Sequence, residues 1–318
     1  MSRINLITTC TNGKYGKTSK ILNLGDYSAG KVSSEILIQS WCNAIKGTIL
    51  HSDLISVENL YKGGHWTTAR AIQHEYSADL WVLSAGLGLL HSKDRVIPYQ
   101  ATFATGYRES IPLYSKLYSG KAFHRTWWKA MTESSSYQKE HPTSIAALMH
   151  AKPKEYFIIC GSPDYINAIE LDVFDGLHHL ESPLAQVMII TSKEIGSRLT
   201  PYFLKSDARI AQWLKCNMVM LNISLAKYVV SEFKNRSFED LKKLSNELSQ
   251  QFKLLPAKNV VKGIKRTPVE VEEFIFDLLR QQPKISPTQA LRTFRDSGNS
   301  FEEKRFRNLF QAVASNNG

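Results

Sequence analysis

The stretch Asp79-Leu-Trp-Val-Leu-Ser-Ala-Gly-Leu-Gly-Leu-Leu-His-Ser-Lys-Asp-Arg-Val-Ile-Pro-Tyr99 decides the fold that the sequence predicts. It opens with a mostly apolar run ending at Ser84, a pattern typical of a buried strand that leads into a loop. Gly86 and Gly88 permit tight turns there, so we expect Asp94 and Tyr99 on a loop at the strand's carboxyl end. Ligands of open α/β sheets bind at such ends. The alternative is that the glycines only form the turn and Tyr99 only packs.

Three further runs have the same pattern, namely Ile4–Thr9, Tyr156–Cys160 and Val187–Thr191. Helical stretches lie between the runs, among them Ser34–Ala44 and Trp66–Tyr76. Alternating strands and helices predict an α/β domain with a mostly parallel sheet flanked by helices. We assign residues 1–232 to this domain.

Residues 233–266 differ in character from the domain before them. The segment Phe238–Leu255 has the periodicity of an amphipathic helix. Residues 256–266 carry four cations and no acid, which predicts a basic linker that could bind DNA. The four cations are Lys258, Lys262, Lys265 and Arg266.

Residues 267–318 predict a small all-helical domain. Three segments, Thr267–Glu270, Ser286–Gln289 and Ser300–Glu303, have the composition of helix starts. A short turn with Gly298 joins the second and third helices, as in a helix-turn-helix. Basic side chains near the start of the third helix suit a DNA groove or its phosphates, and the alternative is a protein-interaction module with a solvated basic face. These side chains are Lys304, Arg305 and Arg307.

Composition indicates the class of binding partner and the cellular compartment of the protein. Forty Lys and Arg against 29 Asp and Glu give the 318 residues a formal net charge of +11, which favours a polyanion such as DNA. The 43% hydrophobic fraction excludes a mainly disordered chain. The apolar runs are far shorter than the ~20 residues of a bilayer span, and the first residues lack the pattern of a signal peptide. We therefore expect a cytoplasmic protein without a membrane partner.

The four cysteines are widely spaced, which argues against a disulfide framework and against a zinc ribbon. No Walker loop, no Rossmann fingerprint and no His-Glu-x-x-His occurs in the sequence. We therefore expect neither a cofactor nor a metal.

Three short segments carry further candidates for chemistry. In Thr8–Lys14, Cys10 follows the first strand, and nearby lysines such as Lys14 would favour the nucleophilic thiolate. In Ile159–Tyr165, Cys160 ends a strand and Asp164 could serve as a base or a helix cap. In Leu60–His65, Tyr61 could stack on a flat base and His65 could shuttle a proton. The alternative in each case is an ordinary core, capping or surface residue.

A family resemblance adds to these patterns. The run Leu83-Ser-Ala-Gly-Leu-Gly-Leu-Leu90, with Asp94 and Ile97-Pro98-Tyr99 after it, resembles the central motif of YaaA-like proteins. It is also similar to the related domains that accompany tRNA-guanine transglycosylase and archaeosine-synthesis enzymes. Cys10 with its downstream lysines and Leu60-Tyr61-Lys62-Gly63 fit the same pattern. The resemblance covers about residues 4–104, and Gly86-Leu87-Gly88 departs from the family's aromatic-Gly pattern.

The resemblance implies DNA binding or 7-deazaguanine chemistry. With a basic helical C-terminus, the chain is most similar to the member found in the bacterial dpd DNA-modification cluster, a restriction-modification setting. It implies nitrile hydration, in which 7-cyano-7-deazaguanine in duplex or single-stranded DNA becomes the amide, with other proteins of that cluster as partners. The catalytic candidates are Cys10, Asp94, Asp164 and His65, and the substrate-binding candidates are Lys14, Tyr61, Ser84, Gly86, Gly88, Tyr99 and Cys160.

Two routes remain open at this point. In one, Cys10 attacks the nitrile carbon and water opens the thioimidate, with Asp94 or Asp164 as base and Lys14 or His65 as proton donor. In the other, a carboxylate activates water directly and backbone N–H groups of residues 86–88 stabilise the developing anion. The rival class is a non-catalytic DNA-binding protein that recognises modified or damaged DNA.

Overall fold

The computed structural model describes residues 3–15, 22–27, 33–49, 54–115, 120–134, 140–193, 198–236, 240–256 and 263–316. The chain divides into two compact units, residues 1–256 and residues 257–318. No helix in these ranges combines the length and the apolar character that a bilayer crossing requires.

The first unit is built on a six-stranded sheet. Its strands in chain order are β1 (Ile4–Thr9), β4 (Asp79–Ser84), β5 (Gly88–His91), β8 (Tyr156–Cys160), β9 (Val187–Thr191) and β10 (Phe203–Lys205). Their order across the sheet is β10-β9-β8-β1-β4-β5, and every neighbouring pair is parallel except β4 with β5. The predicted mostly parallel sheet is confirmed, and the four predicted strands have the predicted bounds.

Short strand pairs lie outside this sheet. They are β2 (Leu22–Asn23) with β7 (Tyr99–Gln100), and β3 (Ile55–Ser56) with β6 (Arg95–Val96). Single 3-10 turns occupy Leu24–Asp26 and Thr200–Tyr202.

Helices flank the sheet. They are α1 (Ser34–Ile49), α2 (Val57–Leu60), α3 (Gly64–Tyr76), α4 (Ile111–Ser115), α5 (Lys121–Glu133), α6 (Ile145–Ala151), α7 (Pro163–Leu177), α8 (Pro183–Gln186), α9 (Ala208–Trp213), α10 (Leu221–Asn235) and α11 (Leu241–Lys253). Helices α3 and α10 pack together against the central strands, while α5, α6 and α7 form a second packed group. The amphipathic helix predicted from Phe238 is α11, and Phe238 itself lies outside the described residues. Because α11 packs on β9 and β10, it belongs to the sheet unit.

The connections place a crevice between β1 and β8. The chain leaves β1 toward β4 on one side of it, whereas it leaves β8 toward β9 on the other side. Loops that diverge from two adjacent parallel strands leave a gap at their carboxyl ends, which is where α/β sheets bind ligands.

The segment after β4 forms a hairpin instead of the predicted loop. Strand β5 runs antiparallel to β4, with Ser84 opposite Gly88 and Trp81 opposite His91. The turn is fixed by two indole groups, since Trp41 Nε1 donates to the Gly86 carbonyl at 2.9 Å and Trp127 Nε1 to that of residue 85 at 2.7 Å. The hairpin carries the chain back to the amino edge of the sheet.

The second unit consists of α12 (Pro268–Gln281), α13 (Pro287–Asp296) and α14 (Glu303–Asn316), with β11 (Ile264–Lys265) paired to β12 (Asn299–Ser300). Apolar side chains of the three helices close one small core. The predicted capping boxes at Thr267 and Ser286 are both present. The predicted start at Ser300 is wrong, because pairing with β11 holds Ser300 extended. Glu302 caps α14 instead, accepting from the N–H groups of Lys304 at 2.9 Å and Arg305 at 3.1 Å.

Candidate functional site

The crevice between β1 and β8 brings a cysteine and a tyrosine together. Cys10 follows β1, is half-buried, and has its Sγ 3.1 Å from the hydroxyl of Tyr165 in the first turn of α7. Tyr165 is 5% exposed, and burial together with the nearby Cys10 raises the pKa of its phenol well above the ordinary value. The phenol therefore stays protonated and can donate a hydrogen bond or a proton at this point.

Lys14 is a buried cation beside this pair. Backbone pairing of the Gly13–Tyr15 segment with Leu60–Lys62 fixes its position, with Tyr15 N donating to the Leu60 carbonyl at 2.7 Å. Its side chain is turned inward, because the residue is only 7% exposed and Nζ donates to the Thr11 carbonyl at 2.9 Å.

Burial lowers the pKa of Lys14, and the charges of Cys10 and Glu109 only partly oppose this effect. Nζ lies 4.6 Å from the ring centroid of Tyr99 and 5.6 Å from that of Tyr61, so aromatic faces take part of the role of a counter-ion. Among the described residues, no carboxylate lies within ion-pair distance of Lys14. A lysine in this state can give up a proton more easily than a solvated lysine.

Three hydroxyl groups form a buried chain beneath Lys14. Ser84 Oγ donates to the Tyr99 hydroxyl at 2.6 Å, and the hydroxyls of Tyr99 and Tyr61 are 2.8 Å apart. Ser84 Oγ also accepts from Leu87 N at 3.0 Å. Burial raises the pKa of Tyr99 well above the ordinary value, which keeps the chain neutral.

The two glycines of the turn serve packing. A Cβ on Gly86 would lie 2.6 Å from the Tyr99 ring, and a Cβ on Gly88 would lie 2.9 Å from the carbonyl of Met131. Gly88 also has a φ of +77°, which favours glycine. These positions, together with Ser84, therefore support Tyr99 and the turn.

A second polar chain runs through the ends of β1 and β8. Cys160 Sγ donates to Thr8 Oγ1 at 3.2 Å, and Thr8 Oγ1 is 2.8 Å from Nε2 of His65 in the first turn of α3. Burial raises the pKa of Cys160 to about 12, so this thiol is not a nucleophile near neutral pH. Desolvation lowers the pKa of His65 to about 4, so its imidazole is neutral at pH 7 and can accept a proton there only at an energetic cost.

Asp164 and His124 lie on the other flank of Tyr165. Asp164 is in the first turn of α7, and its charge acts on His124 of α5. The Phe103 ring contacts both Tyr165 and His124, with centroids 5.0 and 5.4 Å away. His124 is 3% exposed, and neither of its ring nitrogens has a hydrogen-bond partner among the described residues. Burial lowers the pKa of His124, which keeps the imidazole neutral.

Asp94 does not join this site. The predicted placement at the carboxyl end of β4 is wrong, because β5 returns the chain to the opposite edge. There the Asp94 carboxylate accepts from His91 N at 2.7 Å and lies 2.7 Å from Nδ1 of His141. The imidazoles of His91 and His141 stack with centroids 4.0 Å apart, and His91 Nε2 is 2.9 Å from Asp79 Oδ1. Asp94 thus supports the amino edge of the sheet.

The predicted DNA-binding side chains of residues 258–307 differ in exposure and in ion pairing. Lys258 and Lys262 lie outside the described residues, and Lys265 is exposed in β11. Arg266 pairs with Glu270 at 2.9 Å and Arg307 with Glu303 at 2.9 Å. The Arg305 guanidinium lies 5.2 Å from the Phe301 ring, and Lys304 is exposed at the start of α14.

The described residues contain no cluster of three His, Cys, Asp or Glu side chains arranged to hold a metal ion. Comparison with known proteins finds no matching family model, no matching curated protein and no matching solved structure.

The arrangement at the carboxyl edge can carry out nucleophilic chemistry. It holds one accessible thiol at Cys10, a protonated phenol at Tyr165 and a desolvated amine at Lys14. Sequence reasoning identified Cys10 and Lys14 but missed Tyr165 and His124. Tyr165 is the last residue of the candidate segment Ile159–Tyr165, whereas His124 reaches the site only through the packing of α5 on α7.

Proposed function

We propose that this protein is a DNA-modification enzyme that hydrates the nitrile of 7-cyano-7-deazaguanine in DNA to the carboxamide, with Cys10 as nucleophile. The observation that supports this most is the cluster at the carboxyl edge, where Cys10 contacts Tyr165 and has the buried Lys14 nearby. The resemblance of the sequence to YaaA-like domains, and to DpdC in particular, supplies the choice of substrate. Such an enzyme would work in the cytoplasm, with DNA and other dpd proteins as partners.

The proposed reaction begins with a covalent step. A base within a duplex is out of reach, so the nucleotide is extruded into the crevice. The Cys10 sulfur forms a bond to the nitrile carbon, the nitrile nitrogen takes a proton from Tyr165 or Lys14, and the proton released by the thiol restores that donor, giving a thioimidate. The charges of Lys14 and Cys10 act on each other at this point.

Water completes the reaction. It adds to the same carbon, the C–S bond then breaks, the sulfur regains its proton, and the amide leaves with one added water overall. Asp164 is the carboxylate candidate at this edge, since Asp94 lies at the opposite edge. A direct-water route would therefore depend on Asp164 or on Glu109, whose charge acts on Lys14, and the contact of Cys10 with a proton donor favours the covalent route.

A non-catalytic DNA-binding protein is the second candidate. It is favoured by the finding that Ser84, Gly86 and Tyr99 serve packing, and that no carboxylate among the described residues is hydrogen-bonded to Cys10. Such a protein would recognise modified or damaged DNA without turnover.

Nucleoside mass spectrometry separates the two candidates. DNA that contains 7-cyano-7-deazaguanine is incubated with the protein, digested and examined for the mass of one added water. The enzyme predicts this gain with the wild type and with Cys216→Ala, a matched change at another half-buried thiol, and no gain with Cys10→Ala. Binding without any gain in mass would favour the recognition protein, and full turnover by Cys10→Ala would refute the covalent route.

A further inference from the structure

The charges of the second unit are unevenly distributed over its three helices. The exposed side of α12 is mainly acidic, with Glu272, Glu273 and Asp277 against the single cation Arg280 in its last turn. Helix α13 and the turn before it instead expose Lys284, Arg292 and Arg295. Among the described residues, apolar side chains alone form the core of this unit, so the uneven distribution of charge lies on its surface.

One stripe of α13 collects these cations. Arg292 and Arg295 are three residues apart, which places them along one side of the helix. Lys284 precedes the helix, and we call these three residues the α13 face. Thr288, one turn before Arg292, accepts from Arg307 Nη2 of α14 at 3.5 Å and is not counted in this face. The helix buries Ala290, Leu291 and Phe294 on its other side, so the α13 face points to solvent.

One cation on each of α13 and α14 has an acidic partner, and the pair on α14 is the tighter one. Arg307 is held by Glu303 at 2.9 Å, and the Glu302 carboxylate lies against the first turn of α14, so two acids stand beside the α14 cations. Arg292 is 3.9 Å from Asp296, with side chains 84% and 73% exposed, which is a weak pair. Lys284 and Arg295 on one side, and Lys304 and Arg305 on the other, form no ion pair within the part of the chain that the structure describes.

A shallow hollow adjoins the α13 face. Its volume is ≈ 640 Å³, and Lys284 and Arg292 line it together with Gln282, Pro283, Ile285, Gln289, Thr293 and Asp296. Amide and hydroxyl side chains beside cations are the groups that hydrogen-bond to the phosphates and sugars of nucleic acids.

We propose that the α13 face binds the phosphate backbone of nucleic acid and that the start of α14 contributes less. The choice of nucleic acid as partner rests on the proposed function. The cations of the α13 face can neutralise phosphates and release their counterions, whereas Arg307 would first have to leave Glu303. Contacts of this kind position the chain on DNA without reading its sequence.

The test uses the full-length protein and a fluorescently labelled duplex of unmodified DNA. Fluorescence anisotropy gives the affinity over a salt series for the wild type and for Lys284→Gln/Arg292→Gln/Arg295→Gln. The matched control is Lys304→Gln/Arg305→Gln/Arg307→Gln, which removes the same number of positive charges from the same unit. All six side chains are exposed, so both variants are expected to fold, and circular dichroism checks this.

The α13 variant is expected to lower the slope of log affinity against log salt by about 2–3, since each lost phosphate contact contributes about 0.9. The control is expected to lower that slope by less than half as much. An equal or larger effect of the control would overturn the assignment to α13, and so would wild-type binding that does not depend on salt. Because the duplex carries no nitrile, this result is independent of whether the protein hydrates one.

Discussion

Replacing Gly86 with alanine tests the packing beneath the candidate site. The new Cβ would lie 2.6 and 2.8 Å from two atoms of the Tyr99 ring and 3.1 Å from Trp41. Ordinary carbon contacts lie at about 3.5–4.0 Å, so the methyl group would overlap the ring by about 1 Å. Tyr99 cannot simply move away, because its hydroxyl is held by Ser84 and Tyr61.

The expected loss follows from these contacts. Overpacking of a closed core costs about 1–3 kcal/mol, and a weakened buried hydrogen bond adds about 1 kcal/mol. We therefore expect Gly86→Ala to lower the free energy of unfolding by about 2–4 kcal/mol. For a unit of this size that corresponds to a fall in Tm of about 4–16 °C.

Differential scanning calorimetry measures this shift against a matched control. Gly47 is an exposed glycine within α1, and a Cβ there would meet nothing within 4 Å. Gly47→Ala should raise the free energy of unfolding by up to about 1 kcal/mol, since alanine is the better helix former. An unchanged Tm for Gly86→Ala would refute the view that this turn is closed against Tyr99.

Three further predictions concern single polar groups. Lys14→Met should raise the free energy of unfolding in urea titrations, because it removes a buried charge without a carboxylate partner among the described residues, and it should abolish turnover, because the proposed reaction uses the amine. His124→Phe should raise Tm, since a ring with two unpaired buried nitrogens costs about 1–3 kcal/mol, and an unchanged or lower Tm would indicate that these nitrogens are paired in solution. The folded pKa of His65 is about 4, below its ordinary 6.5, so the unfolded chain binds more protons in this window. The free energy of unfolding should therefore decrease as the pH is lowered from 6.5 to 4. In the His65→Gln variant, the urea midpoint should depend less on pH over this range.

Four of the six strands of the sheet could be predicted because each of these four is buried on both faces. Runs such as Ile4–Thr9 and Tyr156–Cys160 are largely apolar and almost wholly buried. The short length of such runs and the turn residues that follow them indicate a strand rather than a helix. Helix ends were less certain, since α1 continues five residues beyond the predicted Ala44 to Ile49.

The hairpin after β4 was missed because its second strand is short. The run Gly88–His91 follows a tight turn containing Gly86, a spacing that also predicts an antiparallel return. The choice between a loop and a return is made by tertiary packing, here by the indoles of Trp41 and Trp127 on the turn. This one difference moves Asp94 from the predicted site to the opposite edge.

The candidate site could be predicted in part. Cys10 and Lys14 are close in sequence, so the first strand and its loop indicate both. Contacts such as Cys10 with Tyr165, or Phe103 with His124, join segments far apart in sequence. These contacts follow from sheet order and helix packing, which no local pattern in the sequence specifies.

The central claim is that Cys10, beside Lys14 and Tyr165, is the reactive group of this protein. The most direct test is the rate at which iodoacetamide alkylates each cysteine, read by peptide mass spectrometry. Cys10 should react faster than the comparably half-buried Cys216, Lys14→Met should slow Cys10 alone, and free 7-cyano-7-deazaguanine should protect it. Equal rates for the two thiols, with no protection by the nitrile, would contradict the claim.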